Sequence, residues 1–377
     1  ISDENVHILD PFTGTGTFIT RLLQSGLIKT EDLHRKYTKE LHANEIVLLA
    51  YYIAAVNIEN AFHDATPDPY DGIGKEKYIP FDGIVLTDTF QLGETNSDVL
   101  FSEMFPENSK RLEEQRKGPI RVIMGNPPYS IGQKSANDNA QNQSYTKLDS
   151  RIANTYANLS NAGLNKSLYD AYIKAFRWST DRLDPKNGGV IAFVSNGAWL
   201  DGNSTDGFRK SLEKEFSAIY VFNLRGNQRT SGELSRKEGG KIFGSGSRTP
   251  ISITLLIKKP NNTEKAKIYY HDIGDYLSQN EKLDIISKFK SINGLDWKTL
   301  KTNEHGDWIN KRNDVFETFI SIEPKKKFDL QTKSYFIPYS LGLGTNRDAW
   351  CYNSSINGLK ENIGLSINFY NQQRVDF

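Results

Sequence analysis

The sequence predicts an α/β fold built on an open, mostly parallel sheet of the nucleotide-binding type. Three observations predict it. A short apolar strand near residues 6–10 runs into a glycine turn and then a helix with apolar residues at helical spacing. Further apolar runs of strand length follow, separated by helical stretches. One of them, Arg121 to Met124, stops at Gly125-Asn126-Pro127-Pro128-Tyr129. That stiff turn lies at the carboxyl end of a strand, where open α/β sheets bind ligands.

Taken in order, Val6 to Asp10 is the first strand and Pro11 to Thr17 its turn. Phe18, Ile19, Leu22 and Leu23 mark the helix, and Gly26 sits where a C-terminal cap belongs. Leu41 to Glu45 is a second strand, and Ile46 to Asn57 an apolar helix whose Tyr51 and Tyr52 read as packing. Residues 63–78 read as a loop, Phe81 to Asp88 contains the third strand, and 93–118 is a polar loop with a short helix. Ser130 to Lys166, rich in Asn, Gln and Ser, reads as one long loop. A helix starts at Ser167 to Asp170, with Leu168, Tyr172, Ala175 and Phe176 as its buried stripe. Gly189 to Ser195 is the fifth strand, Gly207 to Phe216 a helix, and Ala218 to Leu224 the sixth strand. Arg225 to Thr249 is a glycine-rich basic loop, and Ile251 to Ile257 the seventh strand. No crossover helix fits between strands six and seven, so they are expected to form an antiparallel hairpin at one edge. One more strand (Ala266 to Tyr270) and helices near 275–290 and 313–320 follow. The texture changes to Tyr, Gly, Asn and Ser after Lys325-Lys326-Lys327, a run that suits a solvated linker.

The totals bound the function. The net charge of +1 excludes a global attraction to nucleic acid or membrane, so any nucleic-acid footprint must be local. A single cysteine, Cys351, excludes an internal disulfide and a cysteine-based zinc site, and suits a cytoplasmic protein. No apolar run is long enough to span a bilayer. The chain opens on Ile1 and ends in a polar stretch at Phe377, which is expected of a piece of a longer polypeptide.

Two turns carry the chemistry. Asp10-Pro11-Phe12-Thr13-Gly14-Thr15-Gly16 lacks the third glycine of a dinucleotide fingerprint and the Lys of a P-loop. It offers bare backbone beside a carboxylate, which suits a cofactor carrying positive charge. Glu45 ends the second strand, placed to take two ribose hydroxyls, and Asp88 ends the third, placed to accept from an adenine amino group. An adenosine with an ammonium and a sulfonium, S-adenosylmethionine, fits such a set of acids; each acid alone also fits a helix cap. At the second turn, the Asn126 side-chain oxygen and the Pro127 carbonyl are two acceptors for the two N–H bonds of a planar amino group. Accepting both pulls that nitrogen toward tetrahedral geometry, restores its lone pair and stabilises the charge that develops on attack. Tyr129 is placed to stack on a base. A target inside duplex DNA must first be flipped out.

With those residues quoted, the chain resembles the amino-group DNA methyltransferases. The order of motifs, Asp10 to Gly16 before Asn126 to Tyr129, resembles the gamma group of N6-adenine methyltransferases. Asn44 to Leu49, Gly244 to Pro250 and Gly344 to Asp348 are similar to the methyltransferase part of type ISP single-polypeptide restriction-modification enzymes. The resemblance covers roughly residues 5–260. It implies a Rossmann-like class I methyltransferase fold, a seven-stranded sheet with helices on both faces. It also implies a nuclease and helicase upstream and a target-recognition domain downstream. By the same resemblance Asp10, Pro11, Phe12, Gly14 and Gly16 line the methionine side, Glu45 the ribose, and Asp88 with Phe90 the adenine. The expected domains are a methyltransferase domain at 1–260, a helical and strand extension at 261–324, and the truncated start of a target-recognition domain at 325–377. The Gly16-to-Glu45 spacing is longer than the family's, which implies an insertion around Ile28 to Thr38. The cofactor motif that precedes the first strand in gamma enzymes lies outside this chain, and weak cofactor binding is expected without it.

The expected partner is double-stranded DNA. From Arg225 to Arg248 lie six Lys/Arg residues and two Glu, with Phe243 among them. That pattern suits phosphate contacts plus an aromatic beside a flipped base, and equally an ordinary solvated loop. Asn196 and Trp199 follow the fifth strand as candidates for the base pocket, Trp199 fitting the core as well. The function expected is site-specific adenine-N6 methylation of DNA. The alternatives are methylation of N4-cytosine, of guanine N2 in ribosomal RNA or of a release-factor glutamine, and a non-catalytic DNA-binding specificity module.

Overall fold

The computed structural model describes residues 1–66, 78–94, 105–129, 144–162, 166–244, 247–323, 331, 333–336, 344–345 and 348–376. Lys325 to Lys327 and parts of the 63–78, 130–166, 244–250 and 344–348 stretches lie outside them. The chain divides into two compact units, Ile1–Asn310 and Lys311–Phe377.

The first unit is built on one sheet. Its strands are β1 (His7–Asp10), β2 (Leu41–Glu45), β3 (Ile84–Leu86), β4 (Ile120–Gly125), β5 (Gly189–Asn196), β6 (Ala218–Arg225), β7 (Ile251–Lys258), β8 (Lys267–Asp272) and β9 (Lys298–Leu300). They lie in the order β3-β2-β1-β4-β5-β7-β6-β8-β9. Neighbours from β3 to β5 pair in parallel, β7 runs antiparallel to both β5 and β6, β8 is parallel to β6, and β9 is antiparallel to β8.

This corrects the seven-strand expectation: nine described strands form the sheet. The β6–β7 hairpin is also not at the edge. The outer side of β6 carries ladder donors and acceptors that β8 pairs from Ala218↔Lys267 to Asn223↔Asp272. Covering them satisfies backbone groups that would otherwise face solvent unpaired.

The central strands are buried on both faces, as parallel sheets require. Ile8 and Leu9 are neighbours in sequence and both inaccessible, yet they belong to different cores. Ile8 packs with Ile19, Leu22, Ala54, Ile58 and Phe62, from α1 (Thr17–Gln24) and α3 (Leu48–Ala65). Leu9 packs with Ile123, Phe176, Phe193 and Phe208, from the other face. Phe176 sits on α6 (Ala171–Arg182) and Phe208 on α7 (Asp206–Glu215). The first half of α3, Leu48 to Val56, is apolar all round, yet only Ala54, Ile58, Ala61 and Phe62 of the helix are buried; Leu49 and Tyr52 are exposed. The stretch around 28–38 folds as α2 (Thr30–Arg35) and a π-helical turn, Lys36–Glu40.

Between 144 and 162 the structure departs from the expected long loop. Thr146–Asn154 is a helix, α5, after α4 (Pro106–Lys117). Tyr145, Leu148, Ile152 and Tyr156, spaced three or four apart, are all buried. The basic stretch likewise contains a helix, α8 (Gly232–Glu238). Among its described residues the second unit holds one β-bridge, Ser321↔Ser334, a 3₁₀ helix, Asp314–Thr318, where a helix near 313–320 is expected, and two α-helices, Asp348–Cys351 and Ile356–Asp376.

Candidate active site

The C-terminal ends of β1, β2, β4, β5 and β6 and the start of β7 share one rim of the sheet, and both motif turns leave from it. After β1 the chain turns through Pro11 to Gly16 and enters α1. Gly14 and Gly16 both adopt left-handed backbone, φ 58° and 86°. A Cβ on Gly16 would come within 3.2 Å of Ala54 and Ile58, so that glycine lets α3 approach. Above Gly14 the space is open to 4 Å.

Asp10 is inaccessible to solvent. Its Oδ1 accepts from the Phe12 N–H at 3.1 Å, while its Oδ2 is buried without a partner. Burial pushes its pKa up to about 7; the Phe12 N–H opposes the shift, and the Glu45 charge adds to it. Both oxygens of Glu45 are engaged at 2.7 Å, Oε2 by the Gly14 N–H and Oε1 by the Val47 N–H. Each keeps a further acceptor site, since a carboxylate has about four. Asp88 accepts from the Phe90 N–H at 2.9 Å and from the Tyr145 hydroxyl at 2.8 Å. Phe90 is buried between Phe12 and Tyr145, with ring centroids 5.4 and 5.3 Å away. Tyr145 escaped the sequence reading; the 145/148/152/156 apolar spacing is the signal that finds its helix.

The second turn abuts the first. A Cβ on Gly125 would lie 2.6 Å from Asp10 Oδ1, so only glycine fits between the two turns without displacement. Asn126 follows, exposed, then buried Pro127, exposed Pro128 and half-buried Tyr129. Tyr129 Oη lies 2.5 Å from Asn126 Oδ1 and 3.1 Å from the Val194 carbonyl oxygen. Burial raises the Tyr129 pKa, so the phenol stays protonated.

Tyr129 and Phe243 both pack against the cluster of Phe222, Leu224, Ile251 and Ile273. The basic stretch thus comes to the same rim. Asn196 is buried, its Oδ1 accepting from the Ala198 N–H at 2.9 Å and its Nδ2 without a partner. Trp199 belongs to the core, packed edge-on against Phe176, Phe208 and Trp308. Arg225 ends β6 in left-handed backbone, and its guanidinium donates to Asp272 at 2.7 Å and to Asp275. It ties the loop after β8 to the sheet rather than standing free. Arg229, Arg236 and Arg248 are the exposed guanidinium groups nearby. Among the described residues, no group of three or more His, Cys, Asp and Glu is placed to hold a metal ion. Nor is any helix long and apolar enough to cross a membrane.

No family model and no curated protein matches the chain. Solved structures do. A nuclease-deletion mutant of the Type ISP restriction-modification enzyme LlaGI, in complex with a DNA substrate mimic, is 47% identical with a TM-score of 0.83. The match covers 99% of this chain and 29% of that one. The ATP-dependent Type ISP restriction-modification enzyme LlaBIII, bound to DNA, is 46% identical with a TM-score of 0.85, over 98% of this chain and 25% of that one. A DrdV–DNA complex is 36% identical with a TM-score of 0.82, over 98% and 35%.

Fold and rim define an α/β protein, and the chain is similar to a segment of Type ISP restriction-modification enzymes. It spans 29%, 25% and 35% of the three chains above.

Proposed function

We propose that this chain transfers a methyl group from S-adenosylmethionine to N6 of an adenine flipped out of double-stranded DNA, as the modification activity of a restriction-modification enzyme. The observation that carries the reading is the pair of abutting turns: a buried carboxylate with an orphaned oxygen against an exposed Asn-Pro-Pro-Tyr.

The residues present fit the cofactor. Asp10 offers a buried acceptor with no internal partner, which a cation satisfies and a phosphate would not. Pro11, Phe12, Gly14 and Gly16 leave backbone and open space beside it. Glu45 would accept from ribose hydroxyls, and Asp88 with Phe90 would hold the adenine. Bound there, S-adenosylmethionine supplies an electrophilic methyl carbon on a sulfonium. Asn126 Oδ1 and the Pro127 carbonyl accept the two N–H bonds of the substrate amine, and Tyr129 stacks on its ring. The nitrogen lone pair, freed from conjugation, would take the methyl carbon, the C–S bond giving its electrons to sulfur, and the surplus proton on nitrogen would pass to water. Preorganised acceptors of this kind are worth roughly 10²- to 10³-fold in rate.

For DNA, the exposed Arg229, Arg236 and Arg248 beside Phe243 are the proposed footprint, with Arg225 buttressing them. Asn196 is proposed to face the base pocket. Residues 325–377, within the second unit, are proposed to begin the region that reads the target sequence, in a polypeptide that also carries helicase and nuclease regions. A cytoplasmic location follows from that activity.

The test is incubation with methyl-labelled cofactor and, in parallel, unmodified genomic DNA, ribosomal RNA or release factor, with products digested to nucleosides or peptides. Label in N6-methyldeoxyadenosine is expected. Label only in N4-methylcytosine, guanine or glutamine would sink the adenine reading, and no label in any arm would leave a DNA-binding specificity module.

A further inference from the structure

Two segments at the rim share one local pattern. Asp10-Pro11-Phe12 leaves β1, and Asp88-Thr89-Phe90 follows β3. In each, the aspartate Oδ1 accepts from the N–H of the phenylalanine two residues on, at 3.1 and 2.9 Å. β2 lies between β1 and β3 in the sheet, so no ladder bond joins the two segments. Their middle residues meet across it. The Thr89 hydroxyl donates to the Pro11 carbonyl oxygen at 2.6 Å, and Asn44, near the end of β2, donates its Nδ2 to Thr89 Oγ1 at 3.3 Å. The direction of both bonds is fixed. A carbonyl only accepts, so the single hydroxyl proton goes to Pro11, and Asn44 must turn its Nδ2 toward the hydroxyl. Pro11, Asn44 and Thr89 are all buried, where a carbonyl left without a donor is costly. Phe12 and Phe90 pack beside the bond, with ring centroids 5.4 Å apart.

We propose that Thr89 is a positioning residue for the cofactor: its hydroxyl sets the spacing between the methionine side of the pocket, at Asp10 and Phe12, and the adenine side, at Asp88 and Phe90. A ligand that spans both sides engages the second as an intramolecular event, and the gain depends on the two sides being held at the ligand's own spacing. A tie made in advance removes the cost of ordering them on binding. Thr89 acts through Pro11 rather than on the ligand, with Asn44 holding the hydroxyl from β2. This rests on the S-adenosylmethionine part of the methyl-transfer reading and deepens it.

Thr89→Val keeps the branched shape and removes the hydroxyl, and Thr89→Ser keeps the hydroxyl. Calorimetry without DNA would compare S-adenosylmethionine, which spans both sides, with adenosine, which reaches only the ribose and adenine side. In Thr89→Val the affinity for S-adenosylmethionine should fall about fivefold or more, the scale of one hydrogen bond, while that for adenosine stays within about twofold. Thr89→Ser should bind both ligands as the wild type does. An unchanged affinity for S-adenosylmethionine in Thr89→Val, or equal losses on the two ligands, would overturn the proposal. Amide hydrogen exchange of the wild-type protein without cofactor gives a second reading that needs no variant. The Phe12 and Phe90 N–H groups should exchange slowly and with similar protection, because tied turns open as one unit. Fast exchange of either, or widely different protection of the two, contradicts the tie. Binding of neither ligand by the wild-type protein would strike the cofactor reading itself, and the exchange rates would still decide whether the two turns are tied.

Discussion

The two turns at the rim of the sheet are built in opposite ways. The turn after β1 leaves a hydrogen-bonding atom unsatisfied: Asp10 Oδ2 is buried with no partner, and burial holds its carboxyl near neutrality, at about 7. The turn after β4 leaves little undone. Asn126 meets Tyr129, and Tyr129 meets Val194. The difference matches what each is proposed to receive. A cation brings its own charge, and a desolvated carboxylate waiting for it gains most when it arrives. An amino group that must be deformed needs acceptors already fixed in place. Gly125, wedged against Asp10, keeps the two turns in close contact.

The largest effect that would break this division of labour is Asn126→Ala. It should lower the transfer rate roughly 10²- to 10³-fold while leaving cofactor affinity unchanged, as read by single-turnover kinetics and calorimetry. Equal losses in both would merge the two turns into one function. Next is Gly125→Ala. Its methyl has no room beside Asp10, so cofactor affinity and transfer should both fall, each by about tenfold, the equivalent of roughly 1.4 kcal/mol of displaced geometry.

Asp10→Asn sharpens the comparison through pH. In the wild type the carboxyl is mostly protonated below about 7 and ionised above. Affinity for a cationic cofactor should therefore rise as pH goes from 6 to 8, with protons released on binding. In the free protein the sign is reversed. An acid whose folded pKa is raised makes a contribution to stability that is fully present below its ordinary value of 3.8 and is lost as pH rises through about 7. Both dependences should vanish in Asp10→Asn, as calorimetry in buffers of different ionisation enthalpy and thermal melts would show. The smallest effect is Tyr145→Phe. It removes one of the two donors to Asp88 and should weaken cofactor binding by about threefold, within the usual worth of one hydrogen bond, with the transfer rate at saturation unchanged.

What could be read in the sequence was what is local. Asp10 to Gly16 and Asn126 to Tyr129 are contiguous, and each carries its chemistry within seven residues or fewer. Strand and helix periods gave β1 to β8 and most helices, because burial on one or both faces leaves a repeating mark. What could not be read was pairing at a distance. β8 looks like any half-polar strand, and nothing in Lys267 to Asp272 says that it lies against β6. Arg225 looked like a phosphate ligand because Asp272 and Asp275, 47 and 50 residues on, do not show beside it in a sequence. Tyr145 was hidden by its polar neighbours, although its apolar spacing was present. Trp199 fitted the core or the pocket until Phe208 and Trp308 placed it in the core.

The measurement that tests the account most directly is single-turnover methyl transfer to DNA as cofactor is raised to saturation, for Asp10→Asn and Asn126→Ala side by side. The account predicts that Asp10→Asn recovers to within about threefold of the wild-type rate, while Asn126→Ala stays roughly a hundredfold down at every concentration. Recovery of Asn126→Ala at high cofactor, or an Asp10→Asn rate that stays equally low at saturation, would contradict it.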